Sequence, residues 1–227
     1  MKIVVLDAKT LGDDLDISPL GDIGALRVYP TTQPNQTLDR IRDANIVITN
    51  KVVITAEMID AAPPLKLICI AATGMNNVDL EHAASKGISV KNVAGYSSKS
   101  VVQHTFGMAL YLLEKLAYYD QCVKSGEWSN SGIFTDVSHP FHEISGKKWG
   151  IVGLGTIGQE VAHVATAFGA DVCYYSTSGS NLKQPYPHLP LERLLRDCDI
   201  ISIHAPLNDK TIGLINKSNL HFIKENA

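Results

Sequence analysis

A G-x-G-x-x-G turn set between a short apolar run and an amphipathic helix constrains this chain more than any other stretch. Trp149-Gly150-Ile151-Val152 has the length and branching of a buried parallel strand. Gly153-Leu154-Gly155-Thr156-Ile157-Gly158 follows directly. Behind it Ile157, Val161, Val164, Ala165 and Phe168 recur at helical spacing, and Gly169 stands where a helix C-terminus takes a left-handed residue. Asp171-Val172-Cys173-Tyr174-Tyr175 reads as a second strand. Strand, glycine turn, helix and strand in this order predict a parallel unit with the turn at its C-terminal edge.

Each glycine has its own physical reading. Gly153 permits a tight turn out of the strand, and Gly158 lets the helix lie close to the sheet. Gly155, with no side chain, leaves the backbone open to a pyrophosphate at the helix N-terminus, where free N–H groups and the dipole favour an anion. Thr156 and Ile157 contribute the first of those N–H groups. The expectation is a dinucleotide.

The 227 residues are 45% hydrophobic and 19% charged, enough for a buried core in one large or two modest domains and unlike a disordered chain. A net charge of −3 argues against nucleic acid as a partner. Cys69, Cys122, Cys173 and Cys198 form no C-x-x-C pair, and Cys69 and Cys173 sit in apolar runs that suit buried reduced thiols. No stretch approaches a membrane span, and the apolar start is too short for a signal peptide. A cytoplasmic protein is expected.

Before the glycine turn, apolar runs at Ile3–Leu6, Ala25–Tyr29, Ala44–Thr49, Leu67–Ala71 and Ile88–Val90 predict five strands. Helical patterns at Thr37–Arg42, Thr55–Ala61 and Val78–Lys86 separate the later ones, with Pro63-Pro64 stopping the second and Gly87 capping the third. This alternation predicts a parallel sheet covered on both faces and a domain over residues 1–98. Ser100-Val101-Val102-Gln103 reads as a capping box opening one long helix to about Lys124, with Val102, Phe106, Ala109, Leu110, Leu113 and Ala117 on its apolar face. Gly126–Gly146 has no period and reads as an ordered arm whose aromatics serve either a subunit interface or packing on their own domain. Beyond the glycine unit, Leu191–Arg196 is helical and Asp199–His204 a strand. The fold class is α/β, with residues 99–227 as the second domain.

Several segments together resemble the D-isomer-specific 2-hydroxyacid dehydrogenases, nearest the glycerate or hydroxypyruvate branch. They are Ala71-Ala72-Thr73-Gly74-Met75-Asn76-Asn77-Val78-Asp79, Gly95-Tyr96 with Ser100–Thr105, Gly153–Gly158, and His204-Ala205-Pro206-Leu207 with Thr211–Asn216. The resemblance implies a flavodoxin-like substrate domain, a Rossmann-type cofactor domain, a cleft between them and a homodimer. It implies hydride transfer between a nicotinamide cofactor and a small 2-oxo or 2-hydroxy acid. It places Thr73 and Gly74 at the substrate carboxylate, Thr105 facing the cofactor, and His204, Ala205 and Pro206 at adenosine and nicotinamide. A plain strand–helix turn at Thr73, and a Thr105 hydroxyl bonded back to its own helix, are the simpler readings beside these.

His104 reads as a half-buried structural histidine rather than an acid catalyst, and His139, His142 and His163 have no companion carboxylates at metal-ligand spacing, so no metal site is expected. Ser176 and Thr177 stand where a dinucleotide site meets the adenosine ribose, with neither an acid nor an Arg, so NAD and NADP both stay open. The family's catalytic Arg, Glu and His follow the His-x-Pro-Leu segment, and no residue of 1–227 occupies those positions. Residues 1–227 are therefore expected to be a piece of a longer enzyme, to lack the C-terminal part of the fold, to leave Ile200–Ile203 an open apolar edge, and to show negligible turnover alone. A non-catalytic dinucleotide sensor or corepressor is the alternative. A methyltransferase or flavoprotein fits the Thr73-Gly74 and His204–Leu207 segments poorly.

Overall fold

A computed structural model describes residues 1–227, which divide into two compact units, Met1–Tyr96 and Ser97–Ala227. The first unit is a five-stranded parallel sheet. Its strands are β1 (Lys2–Val5), β2 (Ala25–Val28), β3 (Ile46–Thr49), β4 (Leu67–Ile70) and β5 (Ser89–Asn92), in the order β2-β1-β3-β4-β5. Helices α1 (Pro34–Ile41), α2 (Ala56–Asp60) and α3 (Leu80–Ser85) make the last three crossovers.

β1 is buried on both faces from Ile3 to Val5, whereas β3 and β4 alternate buried and half-buried residues. Full cover on both faces therefore holds at β1, while β3 and β4 leave one face only partly covered. Val47, Ile68 and Ile70 point into one core with Ile41, Ile54, Ile59 and Leu65. Cys69 lies on the other face and is only half-buried.

Local signals explain the helix ends. α2 starts at Thr55, whose side chain accepts from the Met58 N–H, and α3 at Asp79, which accepts from the His82 N–H. Gly87 takes φ +72° just past α3. α1 begins at Pro34, three residues ahead of the expected Thr37. Pro at the first helical position needs no N–H partner, and Gln33 and Gln36 cap each other's backbone.

The second unit opens with α4 (Ser98–Leu113), α5 (Leu116–Lys124) and the short α6 (Glu127–Asn130). Then come β6 (Lys148–Val152), α7 (Thr156–Ala167), β7 (Asp171–Tyr175), α8 (Leu191–Asp197) and β8 (Ile200–Ile203), with sheet order β7-β6-β8. All pairings are parallel, Ile151 lying opposite Tyr174 on one side and Ser202 on the other. β8 forms an edge, with Ile203 56% exposed.

Two expectations about the long helix fail. The helix begins at Ser98 behind Ser97, which makes no side-chain cap. Ser100 therefore falls inside the first turn and forms no capping box. The helix also breaks at Lys115, whose φ of 54° is left-handed, so one predicted helix becomes two. Good helix formers on either side hide such a break. A non-glycine residue in that conformation costs about 1–2 kcal/mol. Lys115→Gly is expected to stabilise the unit by about 0.5–1 kcal/mol after glycine's own entropy cost, read as a higher urea midpoint.

The arm after α6 is tied to α5. Tyr118 donates its hydroxyl to Asp136 at 2.5 Å, its ring stacks on His139 at 3.8 Å, and the Tyr119 hydroxyl donates to the His139 carbonyl at 2.9 Å. Bonds from Ser138 and Tyr118 hold the Asp136 carboxyl down at about 2. Ile133, Phe134, Val137 and Phe141 of the arm are exposed, Phe134 at 90%.

Candidate functional site

Three loops meet at the C-terminal edge of the β7-β6-β8 sheet. The Gly153 N–H donates to the Tyr175 carbonyl at 2.9 Å, joining the turn after β6 to the end of β7. The His204 N–H donates to the Val152 carbonyl at 2.8 Å, joining β8 to the same turn. β6 forms the floor, with Trp149, Ile151 and Val152 wholly buried.

The glycines have three different surroundings. Gly153 sits at φ +94°, and a side chain there would press on the His204 carbonyl and the Ala205 nitrogen. Gly158 packs against the Gly153 carbonyl oxygen and the Ile151 side chain, leaving no room for a Cβ. Gly155 is the opposite case: a Cβ there would meet nothing within 4 Å.

Gly155 is also the N-cap of α7, and no side chain caps that end. The N–H groups of Thr156, Ile157 and Gly158 therefore open the helix with no protein acceptor over them. α7 is anchored by Val161, Ala162 and Ala165, all fully buried. Phe168, expected on that buried face, is 44% exposed and stacks on Phe106 at 5.6 Å between ring centroids. An open backbone edge, a dipole-bearing helix and a left-handed glycine make a cradle of the polarity a diphosphate needs, so the residues present fit a dinucleotide.

Around the cradle, Ser176 is buried at 6% exposure and Thr177 half-buried at the end of β7. His204 and Ala205 are half-buried and Pro206 exposed at the end of β8. The His204 Nε2 is itself buried and has no hydrogen-bond partner in the chain. Burial holds this imidazole below its ordinary value of 6.5, because desolvation disfavours the imidazolium. The folded state thus takes up this proton less readily than the unfolded chain. The contribution is complete above about pH 6.5 and is lost as pH falls through the folded-state value. A His204→Gln chain is expected to show a flatter fall in urea stability between about pH 7 and pH 5 than the parent.

Thr105, half-buried on α4, donates its hydroxyl to the Val101 carbonyl at 2.8 Å. Its donor is used within its own helix, and only its lone pairs remain for a ligand. His104 is exposed rather than half-buried, because it falls opposite Val102 and Phe106, the residues α4 buries.

In the first unit, Thr73 and Gly74 lie in the exposed turn after β4. The Asn92 side-chain amide donates to the Thr73 carbonyl at 2.7 Å, and the Thr73 hydroxyl donates to the Val93 carbonyl at 3.2 Å. The N–H groups of Thr73 and Gly74 donate to nothing in the chain.

Polar braces around these turns escaped the sequence reading. The Asn181 amide donates to the Leu154 carbonyl at 2.6 Å, and Gln159 reaches the same oxygen at 3.4 Å, fixing the middle of the glycine turn. The Tyr174 hydroxyl donates to the Asn181 carbonyl at 2.8 Å. In the first unit the buried Asp7 carboxylate accepts from the Asn50 and Lys51 N–H groups at 2.9 and 2.7 Å, tying β1 to the loop after β3 where the strand order reverses. Nothing in the local sequence signals partners so far along the chain.

Residues 106–227 match the family described as D-isomer specific 2-hydroxyacid dehydrogenase, NAD binding domain. A hydroxypyruvate reductase of Blautia hydrogenotrophica is 34% identical over 99% of this chain and 72% of its own length. This chain belongs to the D-isomer specific 2-hydroxyacid dehydrogenases. Another relative in the family, a glycerate dehydrogenase of Methylorubrum extorquens, is 30% identical over the whole chain and 70% of its own length. Among solved structures, an acyclic imino acid reductase in complex with NADPH and D-Arg superposes with a TM-score of 0.82 at 26% identity, over 99% of this chain and 71% of that one. The family is one of nicotinamide-dependent oxidoreductases, and residues 106–227 are its dinucleotide-binding part. Across the chain, no helix is long and apolar enough to cross a membrane.

Proposed function

We propose that this chain binds NAD(H) or NADP(H) on its glycine turn and serves the interconversion of a small D-2-hydroxy acid with its 2-oxo acid, of the glycerate and hydroxypyruvate kind. The observation that carries this reading is the open space in front of Gly155 at an uncapped helix N-terminus, inside a chain of this family. The bound nicotinamide supplies or accepts the hydride.

The chain's own residues bind and orient. Gly153, Gly155 and Gly158 shape the turn, and the Thr156 and Ile157 N–H groups hold the diphosphate. Ser176 and Thr177 meet the adenosine ribose, and His204, Ala205 and Pro206 wall the site from the β8 side. The Thr105 oxygen accepts from the cofactor on the α4 side. Thr73 and Gly74 offer two free N–H groups to the substrate carboxylate. We assign no proton-transferring side chain within residues 1–227. On this reading residues 1–98 serve the substrate and 99–227 the cofactor.

The second unit pairs with a second copy, and the protein works in the cytoplasm. Its exposed Met108, Tyr111 and Leu112 on α4, with Phe134 and Phe141 on the arm, support that pairing. Binding tests the central claim. Reduced cofactor is titrated into the chain by fluorescence, and hydroxypyruvate is then added to the binary complex. Absence of saturable cofactor binding would sink the reading.

A further inference from the structure

The loop after β7 carries a feature that the proposed dinucleotide site leaves unread. A site that selects NAD sets a carboxylate at the end of its second strand, where it holds both ribose hydroxyls and repels a 2′-phosphate. Here that place is Ser176, and no Asp or Glu occurs from Val172 to Leu191. The next acid, Glu192, is engaged by Arg196 at 2.9 Å.

What the loop offers instead is a set of donors. The hydroxyls of Ser176, Ser178 and Ser180 form a chain with spacings of 3.5 and 2.9 Å, and the Ser180 N–H donates to the Ser178 oxygen. Between them the N–H groups of Thr177, Ser178 and Gly179 have no partner in the chain. Gly179 turns left-handed at φ +73°, which faces successive N–H groups toward one side as anion-binding nests do. Lys183, four residues on, is exposed and unpaired. The Asn181 bond to Leu154 holds this loop against the glycine turn.

We infer that residues Ser176–Ser180, with Lys183, form a seat for the 2′-phosphate, and that this chain prefers NADP(H) over NAD(H). The inference rests on the dinucleotide reading above and narrows it to one cofactor. Three free N–H groups and three hydroxyls satisfy the phosphate oxygens, Lys183 supplies the opposite charge, and nothing nearby in sequence repels it. A 2′-hydroxyl finds no carboxylate in this loop to hold it.

The test is a pair of titrations of the 227-residue chain with NADPH and NADH, followed by fluorescence at low salt. Adenosine 2′,5′-bisphosphate and ADP serve as competitors. NADPH is expected to bind about tenfold more tightly or better, and the margin should shrink as salt screens Lys183. Lys183→Ala is expected to weaken NADPH and leave NADH alone. Ser176→Asp is expected to reverse the preference, with far-UV circular dichroism checking that the buried site still folds. NADH binding as tightly as NADPH, or a preference unmoved by Lys183→Ala, would overturn the inference while leaving the dinucleotide reading intact. Binding of neither cofactor would remove both.

Discussion

Gly155→Val is expected to leave the second unit folded and to weaken dinucleotide binding by about a hundredfold or more. The backbone at Gly155 has φ −79° and ψ −161°, an extended conformation that valine adopts readily. A Cβ there meets no atom of the protein within 4 Å, so the fold has nothing to repack. The added methyls instead occupy the space through which a diphosphate reaches the first N–H groups of α7. A hydrogen bond to a charged group contributes about 1.5–3 kcal/mol. Losing two lowers affinity by about a hundredfold or more. Cofactor fluorescence titration measures the loss, and a melting temperature close to that of the parent shows that the fold survived. Parental affinity in the valine chain would mean that the diphosphate lies elsewhere.

Trp149→Ala is expected to have the largest effect on stability of any single truncation in the second unit. Trp149 is wholly buried near the start of β6, the strand that leads into the glycine turn. Its ring packs against Phe106 of α4 at 5.0 Å between centroids, and its Nε1–H donates to the Ser202 hydroxyl of β8 at 2.9 Å. One side chain thus links a helix and two strands. Truncation leaves a cavity and a buried Ser202 hydroxyl without its partner, for a loss of about 3–5 kcal/mol. That is a large part of the roughly 5–15 kcal/mol that holds a domain together. Trp149→Phe keeps most of the volume but not the N–H, so it should fall between the two. Urea unfolding followed by circular dichroism ranks the three chains. A loss under about 1 kcal/mol for the alanine variant would show that the site collapses around the gap.

Much of the architecture was legible in the residues because buried parallel strands must be apolar along their length. Ile3–Leu6, Leu67–Ala71, Trp149–Val152 and Asp171–Tyr175 announce themselves in that way and fall within a residue or two of β1, β4, β6 and β7. The helix boundaries were less legible. Gln33 and Gln36 cap α1 with side chains that are poor local signals, and the Lys115 break lies in a run of strong helix formers. The site divides in the same manner. The three glycines could be read from steric logic, since each needs its missing side chain for a reason visible in the motif. Asn181, Gln159 and Asp7 could not, because their partners are carbonyls and N–H groups that no local pattern marks.

The order of strand, glycine turn, helix and strand follows from local chemistry: which residues can be buried, which can turn left-handed, and which leave backbone bare. These are properties of a few neighbouring residues, and they are present before the chain folds. Only the tertiary structure decided that α4 would break from α5 and that Asn181 would reach the glycine turn. It also decided that the hydroxyls after β7 would line up beside that turn. The Asn181 contact depends on groups 27 residues apart in the chain meeting at one sheet edge, where burial and hydrogen-bond satisfaction are settled together.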